Sequence, residues 1–212
     1  MNPQGNYFDI YEEASSDEQT YYQWSNDNNV YTELSAPGFE EMGDGFHVFF
    51  VGENPPLDNS LANGLVGTPR NIGFVKVSKE DTREILSDGP TETGGYYTFN
   101  GDFYEQEHAG IQWLTDFDDF DTNVSRLKQI SISDDKHFLI WEIWNMEAYQ
   151  YTSWMIVDTS GSVTEKGDIR NICYPLRLHK ADDPVRIGDD IFIYAGGNYG
   201  KIDVYKISIT GF

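Results

Sequence analysis

A single cysteine, Cys173, stands among 212 residues, so neither an internal disulfide nor a cysteine zinc cluster holds this chain together. That leaves the redox compartment open, because oxidising surroundings permit disulfides without requiring them. No apolar run reaches the roughly 18 residues that a membrane-crossing helix needs. The start, Met1-Asn-Pro-Gln-Gly5, lacks a charged region followed by an apolar stretch, so a secretory signal is expected to be either absent or already removed. Basic residues are few, 14 against 36 acidic, for a formal charge of −22. A phosphate backbone would be repelled at every approach, which excludes nucleic acid as a partner. Acidity on this scale keeps a surface soluble, and a cation site is the narrower alternative reading. Also missing is any sustained 3.6-residue apolar period over a dozen residues, so a helical fold is not expected.

Twenty Gly, 14 Tyr, 13 Phe and 5 Trp are present instead, a composition suited to twisted sheets joined by tight turns. One small unit is written twice in the last 90 or so residues. In the first copy, Ile130 to Ser133 leads through the acidic turn Asp134-Asp135 into Phe138-Leu-Ile-Trp-Glu-Ile-Trp144. A polar turn follows, then Ser153-Trp-Met-Ile-Val157. In the second, Pro184 to Ile187 leads through Gly188-Asp-Asp190 into Ile191-Phe-Ile-Tyr194, a glycine turn, and Lys201 to Ile207. Short β-branched and aromatic runs between turn residues read as strands. Neither copy can bury its apolar face alone, so stacking against a neighbour is expected.

Three more eroded units precede these, giving hairpin units near 7–24, 46–77, 96–115, 130–157 and 185–207 in a single domain of 212 residues. In the third unit, Gly94 to Asn100 is read as one strand, the following acidic stretch as a loop, and Gly110 to Thr115 as the second strand. Val30 to Leu34, Arg83 to Leu86, Leu127 to Ile132 and Leu176 to Leu178 are candidate outer or connecting strands. The second strands begin near residues 20, 72, 110, 153 and 201, a spacing of about 40 to 50 residues that matches four-stranded propeller blades. The expected fold is therefore all-β, a small β-propeller of about five blades. A β-sandwich is the alternative, since the same strands would also build two packed sheets. Ile191-Phe-Ile-Tyr-Ala-Gly-Gly197 followed by Val204-Tyr205 resembles a kelch-type blade. More broadly, the last 90 residues or so resemble the divergent propeller repeats of bacterial surface proteins and lipoproteins. The resemblance implies a binding or scaffold role, not a reaction.

The sharpest local motif is Asp116-Phe-Asp-Asp-Phe-Asp-Thr-Asn123. Oxygen ligands from Asp116, Asp118, Asp119, Asp121 and Asn123 would suit calcium, and the last three fall at positions 1, 3 and 5 of a calcium loop of the EF-hand type. Val124 stands where that loop needs glycine and Ile130 where it needs a bidentate Glu. The alternative is a solvated acidic loop. Asn123-Val-Ser125 is a glycosylation sequon, relevant only on a eukaryotic secretory route. The Asp pairs at 134–135, 182–183 and 189–190 read as turn caps. His47, His108, His137 and His179 lack any metal-ligand spacing. Trp141, Trp144, Tyr149, Tyr151 and Trp154 crowd one hairpin, with Trp141 and Trp144 on opposite faces by alternation. Some must be core, and Trp144, Tyr149 and Tyr151, near the turn, form the candidate ligand or partner surface.

No nucleophile elbow, phosphate loop or dinucleotide fingerprint occurs. A glycoside-acting hydrolase needs two carboxylates set across a cleft, and 36 acids single out no pair. The sequence thus points to a non-enzymatic binding or scaffold module, extracellular or at the cell surface, with protein as the foremost partner. Lectin-like carbohydrate binding and the hydrolase are its alternatives.

Overall fold

The computed structural model describes residues 6–12, 17–24, 39–43, 45–53, 70–81, 84–99, 102–119, 121–145, 148–170, 175–179, 182–196 and 201–210. Fifteen strands and no helix are found among them, so the protein is all-β, with every strand pair antiparallel. Among the described residues, no helix is long and apolar enough to cross a membrane. The chain divides into two compact units, Met1–Phe120 and Asp121–Phe212. Val30 to Leu34, the 54–69 loop and Cys173 lie outside the described residues.

In the first unit, β1 (Asn6–Glu12) pairs with β2 (Asp17–Trp24), as the alternation of the sequence suggests. β3 (Phe39–Met42), β4 (Gly45–Glu53) and β5 (Arg70–Ser78) form a meander extended by the short β8 (Gln112–Trp113). Its core is Phe50, Val75, Val77 and Ile111, backed by Phe46, Ile85 and Trp113. Gly73 sits opposite Phe50 in the register, and a Cβ there would lie 2.4 Å from the Phe50 ring. The missing side chain is thus the space the ring fills, with Trp113 edge-on to it at 5.7 Å.

The third sequence unit needs correction. β6 (Gly89–Phe99) pairs with β7 (Asp102–Gly110) as its own two-stranded sheet, so 102–110 is strand where an acidic loop is expected. Residues 112–113 leave that hairpin and join β5 instead. The missed signal is Asn100-Gly101, the dipeptide that favours a two-residue hairpin connection. The acidic residues that suggested a loop are no obstacle, because ladder hydrogen bonds come from the backbone, whatever the side chains carry. Of the other candidate strands, 127–132 falls within the next strand, Ile85 makes one isolated bridge to Val77, and 176–178 pairs with no strand.

In the second unit, β9 (Thr122–Ser133), β10 (Lys136–Asn145), β11 (Ala148–Asp158) and β12 (Val163–Ile169) form a four-stranded meander. β13 (Val185–Ile187), β14 (Asp190–Gly196) and β15 (Ile202–Ser208) form a three-stranded one. Alternation sends Phe138, Ile140 and Ile156 to one face, where they pack with Ile132, Leu176, Leu178, Ile191, Ile193 and Ile209. That cluster joins the two sheets. Leu139, Trp141, Ile143, Met155 and Val157 on the opposite face are buried as well. Strands buried on both faces read as continuous apolar runs, which is why the run Phe138–Trp144 does not alternate. The Asp134-Asp135 pair sits in the turn between β9 and β10. At the turn from β11 to β12, Asp158 Oδ1 accepts from the amides of Ser160 and Ser162 at 2.9 and 3.0 Å and from the Ser160 hydroxyl at 2.6 Å. Gly161 there takes φ 84°, the left-handed region where glycine avoids the Cβ clash.

Candidate functional site

One charged residue interrupts the apolar run of β10, and the site forms around it. Glu142 is fully buried, an environment that a carboxylate tolerates only when paired and hydrogen-bonded. Its Oε1 accepts from the Leu178 amide at 2.7 Å and from Arg177 Nε at 3.1 Å, and its Oε2 accepts from Trp144 Nε1 at 2.8 Å. Arg126 Nη1 stands 3.5 Å from Oε1 and donates at 2.7 Å to the Leu178 carbonyl. Opposite Glu142 on β11, Thr152 donates to the Leu176 carbonyl at 2.5 Å, and the Tyr149 hydroxyl donates to the same oxygen at 3.1 Å. Together these groups hold segment 176–178, which carries the chain from one sheet to the next. Two further contacts fasten the sheets: Lys128 Nζ reaches Asp183 at 3.1 Å and Arg186 Nη1 reaches the Ser131 carbonyl at 3.4 Å.

Arg126 reaches Glu142 through an irregularity in β9. Ile140 pairs with Lys128 and Glu142 with Ser125, so two residues of β9, Arg126 and Leu127, stand opposite the single Trp141. Arg126 takes φ 55°, which costs a residue with a Cβ about 1 kcal/mol or more relative to glycine.

Of the candidate surface residues, the structure brings Trp144 and Tyr149 together, edge to face with ring centroids 6.2 Å apart. Both rings carry guanidinium groups: Arg177 lies 4.4 Å from the Tyr149 centroid and 4.8 Å from that of Trp144, with Arg126 at 5.9 Å from Trp144. Tyr151 belongs to a neighbouring stack, with Arg170 3.6 Å over its ring and Arg170 paired to Asp168 at 2.8 Å. Guanidinium on an aromatic face is a cation–π contact, and it occupies ring surface on which a sugar would stack. Burial pushes the Tyr149 hydroxyl above its ordinary pKa; the charge of Glu142 adds to this, while the Thr152 hydrogen bond and Arg177 oppose it. Trp141 and Trp154 serve the interior, the latter stacked on Phe138 at 5.9 Å.

The acidic motif is split between the two units. Asp116, Asp118 and Asp119 are exposed in the first, next to a loop fixed by fully buried Asn71. The Asn71 Oδ1 accepts from the Phe117 amide at 2.8 Å and from the Thr115 hydroxyl at 2.9 Å, while its Nδ2 donates to the Phe117 carbonyl at 3.1 Å. Asp121 and Asn123 belong to the second unit, where Asn123 lies in β9 opposite Trp144 and donates to the Asp121 carbonyl at 3.4 Å. Among the described residues, no group of three or more His, Cys, Asp or Glu side chains is placed to hold a metal ion. His47 and His137 are buried, and His179 pairs with Asp182 while stacking on Tyr194 at 6.1 Å. The Asp182 hydrogen bond raises the Tyr194 hydroxyl above its ordinary pKa.

Sequence reasoning missed Glu142, Arg126 and Arg177. A signal for the first was present: a lone carboxylate inside an apolar strand must find donors. The arginines could not be assigned to it, since 16 and 35 residues of chain separate them from it (142 − 126 and 177 − 142).

The second feature is the outer face of the three-stranded sheet. The register aligns Val185 with Phe192, Phe192 with Lys206, Tyr194 with Val204 and Gly196 with Ile202. That face therefore carries Val185, Ile187, Tyr194, Ile202 and Val204, which are 54, 63, 40, 71 and 64 % exposed. Comparison of the chain with protein-family models, curated proteins and solved structures finds no match.

Proposed function

We propose that this protein is a non-enzymatic interaction module whose sheets act as propeller blades and whose last sheet docks a protein partner. One observation carries the reading: the outer face of β13–β15 presents five apolar side chains to solvent, more than scattered surface residues explain. The inner face of the same sheet packs on the β9–β12 meander through Ile191 and Ile193, so an apolar sheet face is the cover this architecture already uses. The occupant is a similar apolar sheet face on a different, basic protein. A second copy would bring −22 against −22, which opposes self-association at moderate salt. Four-stranded and three-stranded meanders, the former with central strands buried on both faces, support blades over the two-layer sandwich, in which each sheet buries one face only.

The double variant Ile202→Asp, Val204→Asp tests the docking face. It should leave the melting temperature within about 2 °C of the parent, since exposed sites contribute little to stability. It should also abolish the fluorescence gain of the apolar dye bis-ANS. A fall of many degrees would place the face inside the fold and overturn the proposal. Sedimentation should show a monomer at about 0.15 M salt; association abolished by the double variant would replace the foreign partner with a second copy. Hydrolysis of chromogenic glycosides, or retention on a glycan array, would overturn the protein-binding reading for the enzyme or the lectin respectively.

A further inference from the structure

We propose that Arg126 and Arg177 form a binding site for a singly charged carboxylate at the end of the β9–β12 sheet. The site is separate from the apolar face of β13–β15. Two guanidinium groups meet one carboxylate, Glu142, leaving one positive charge uncompensated among the described residues, in a chain of formal charge −22. Glu142 has little need of the second arginine. The Leu178 amide, Arg177 Nε and Trp144 Nε1 already donate to it at 2.7 to 3.1 Å, and Arg126 stands farther off at 3.5 Å. Among the described residues, Arg177 hydrogen-bonds through its Nε alone and Arg126 through its Nη1 alone. Their remaining N–H groups meet no acceptor among the described residues, and the side chains are 37 and 29 % exposed, so a ligand from solvent can reach them.

A second observation points the same way. Arg126 holds the bulge of β9 at φ 55°, where glycine would sit without strain. The strain is retained together with a side chain of which one nitrogen, Nη1, serves the Leu178 carbonyl, and the rest of its fork is left for a ligand. Trp144 lies against both guanidinium groups, 4.8 Å from Arg177 and 5.9 Å from Arg126. A planar fork of donors matches the two oxygens of a carboxylate. The negative field of the whole chain disfavours a dianion twice as strongly as a monoanion, which selects carboxylate over phosphate.

The test is a titration of the full chain with sodium benzoate, and separately with inorganic phosphate, followed by the indole N–H signal of Trp144 in a nitrogen-15 NMR spectrum. Trp144→Phe assigns that signal. Benzoate should shift it with a dissociation constant of about a few millimolar, and phosphate should bind about tenfold more weakly. Arg126→Gly should weaken benzoate binding about tenfold or more, the loss of a charge-assisted hydrogen bond, while the melting temperature falls by no more than about 4 °C, because relief of the strain at φ 55° offsets much of the lost bond to the Leu178 carbonyl. Arg177→Lys keeps the charge but not the fork and should also weaken binding. No shift at about 50 mM benzoate, a concentration well above the expected constant, would overturn the proposal. So would equal binding by Arg126→Gly, tighter binding of phosphate than of benzoate, or a drop of more than about 4 °C in Arg126→Gly, since the last would make Arg126 a structural partner of Glu142.

Discussion

The two sheets of the second unit share strand chemistry and differ in what covers them. The central strands of the β9–β12 meander, β10 and β11, are buried on both faces, from Phe138 and Ile140 on one to Leu139 and Met155 on the other, while β12 at its edge is mostly exposed. The β13–β15 sheet buries Ile191 and Ile193 and leaves Ile202 and Val204 in water. A β-branched residue in a strand therefore does not announce its own energetic role. The neighbouring layer decides whether a methyl group stabilises the fold or stays exposed to water.

The sharpest way to break this comparison is a matched pair of truncations. Phe138→Ala should destabilise by about 3 to 5 kcal/mol, because transfer and cavity terms add in a packed site. Val204→Ala should stay within about 0.5 kcal/mol. Urea titrations of both variants check this, and similar losses would mean that the outer face of β13–β15 is packed in solution. Next in size is the joint between the sheets. Glu142→Ala leaves the Leu178 amide and the Trp144 indole without their acceptor, while water can still reach the half-buried arginines, so a loss of about 2 to 3 kcal/mol is expected. Asn71→Ala in the first unit removes three hydrogen bonds from the 115–117 loop and should cost about 2 kcal/mol. A Glu142 variant as stable as the parent would show that segment 176–178 is held by its apolar contacts alone.

A smaller effect follows from the turn between β11 and β12. Burial alone would raise the Asp158 pKa, but hydrogen bonds from Ser160 and Ser162, with help from Lys136, win and hold it below its ordinary value. A carboxyl depressed in the folded state contributes stability that is fully present above the unfolded pKa, near about 3.9. That contribution is lost as pH falls through the folded value. Asp158→Asn should therefore lower the melting temperature at pH 7 and lower it by progressively less as the pH is taken below about 3.9, measured by circular dichroism across that range. The smallest effect concerns the acidic run 116–123. Millimolar calcium and EDTA should give superimposable melting curves, because among the described residues no group of three or more His, Cys, Asp or Glu side chains is placed to hold a metal ion; a rise with calcium, lost in Asp119→Ala with Asp121→Ala, would restore the cation reading.

Much of the strand pattern was legible. The hairpins at 7–24, 46–77 and 130–157 follow from short aromatic and β-branched runs between turn residues, and β1 with β2, β4 with β5 and β10 with β11 pair accordingly. The third unit failed because acidic side chains masked β7, whose hydrogen bonds are indifferent to them. Trp144, Tyr149 and Tyr151 were legible as aromatics near a turn, but not the contact between the first two. Their cover by Arg177 was not legible either, because that arginine lies beyond two further strands, in the connector between the sheets, and only the fold returns it to them.

By itself, the sequence determined the all-β class, the absence of a disulfide framework and the strong negative charge, since strand propensity, cysteine count and ionisable groups are properties of residues taken singly or in short runs. Tertiary structure alone decided which apolar residues became core and which stayed exposed. It also decided that a lone glutamate in β10 would gather two arginines and a tryptophan. The physical reason is that burial and ion pairing depend on distance in space, and distance along the chain says little about which residues will meet across two sheets.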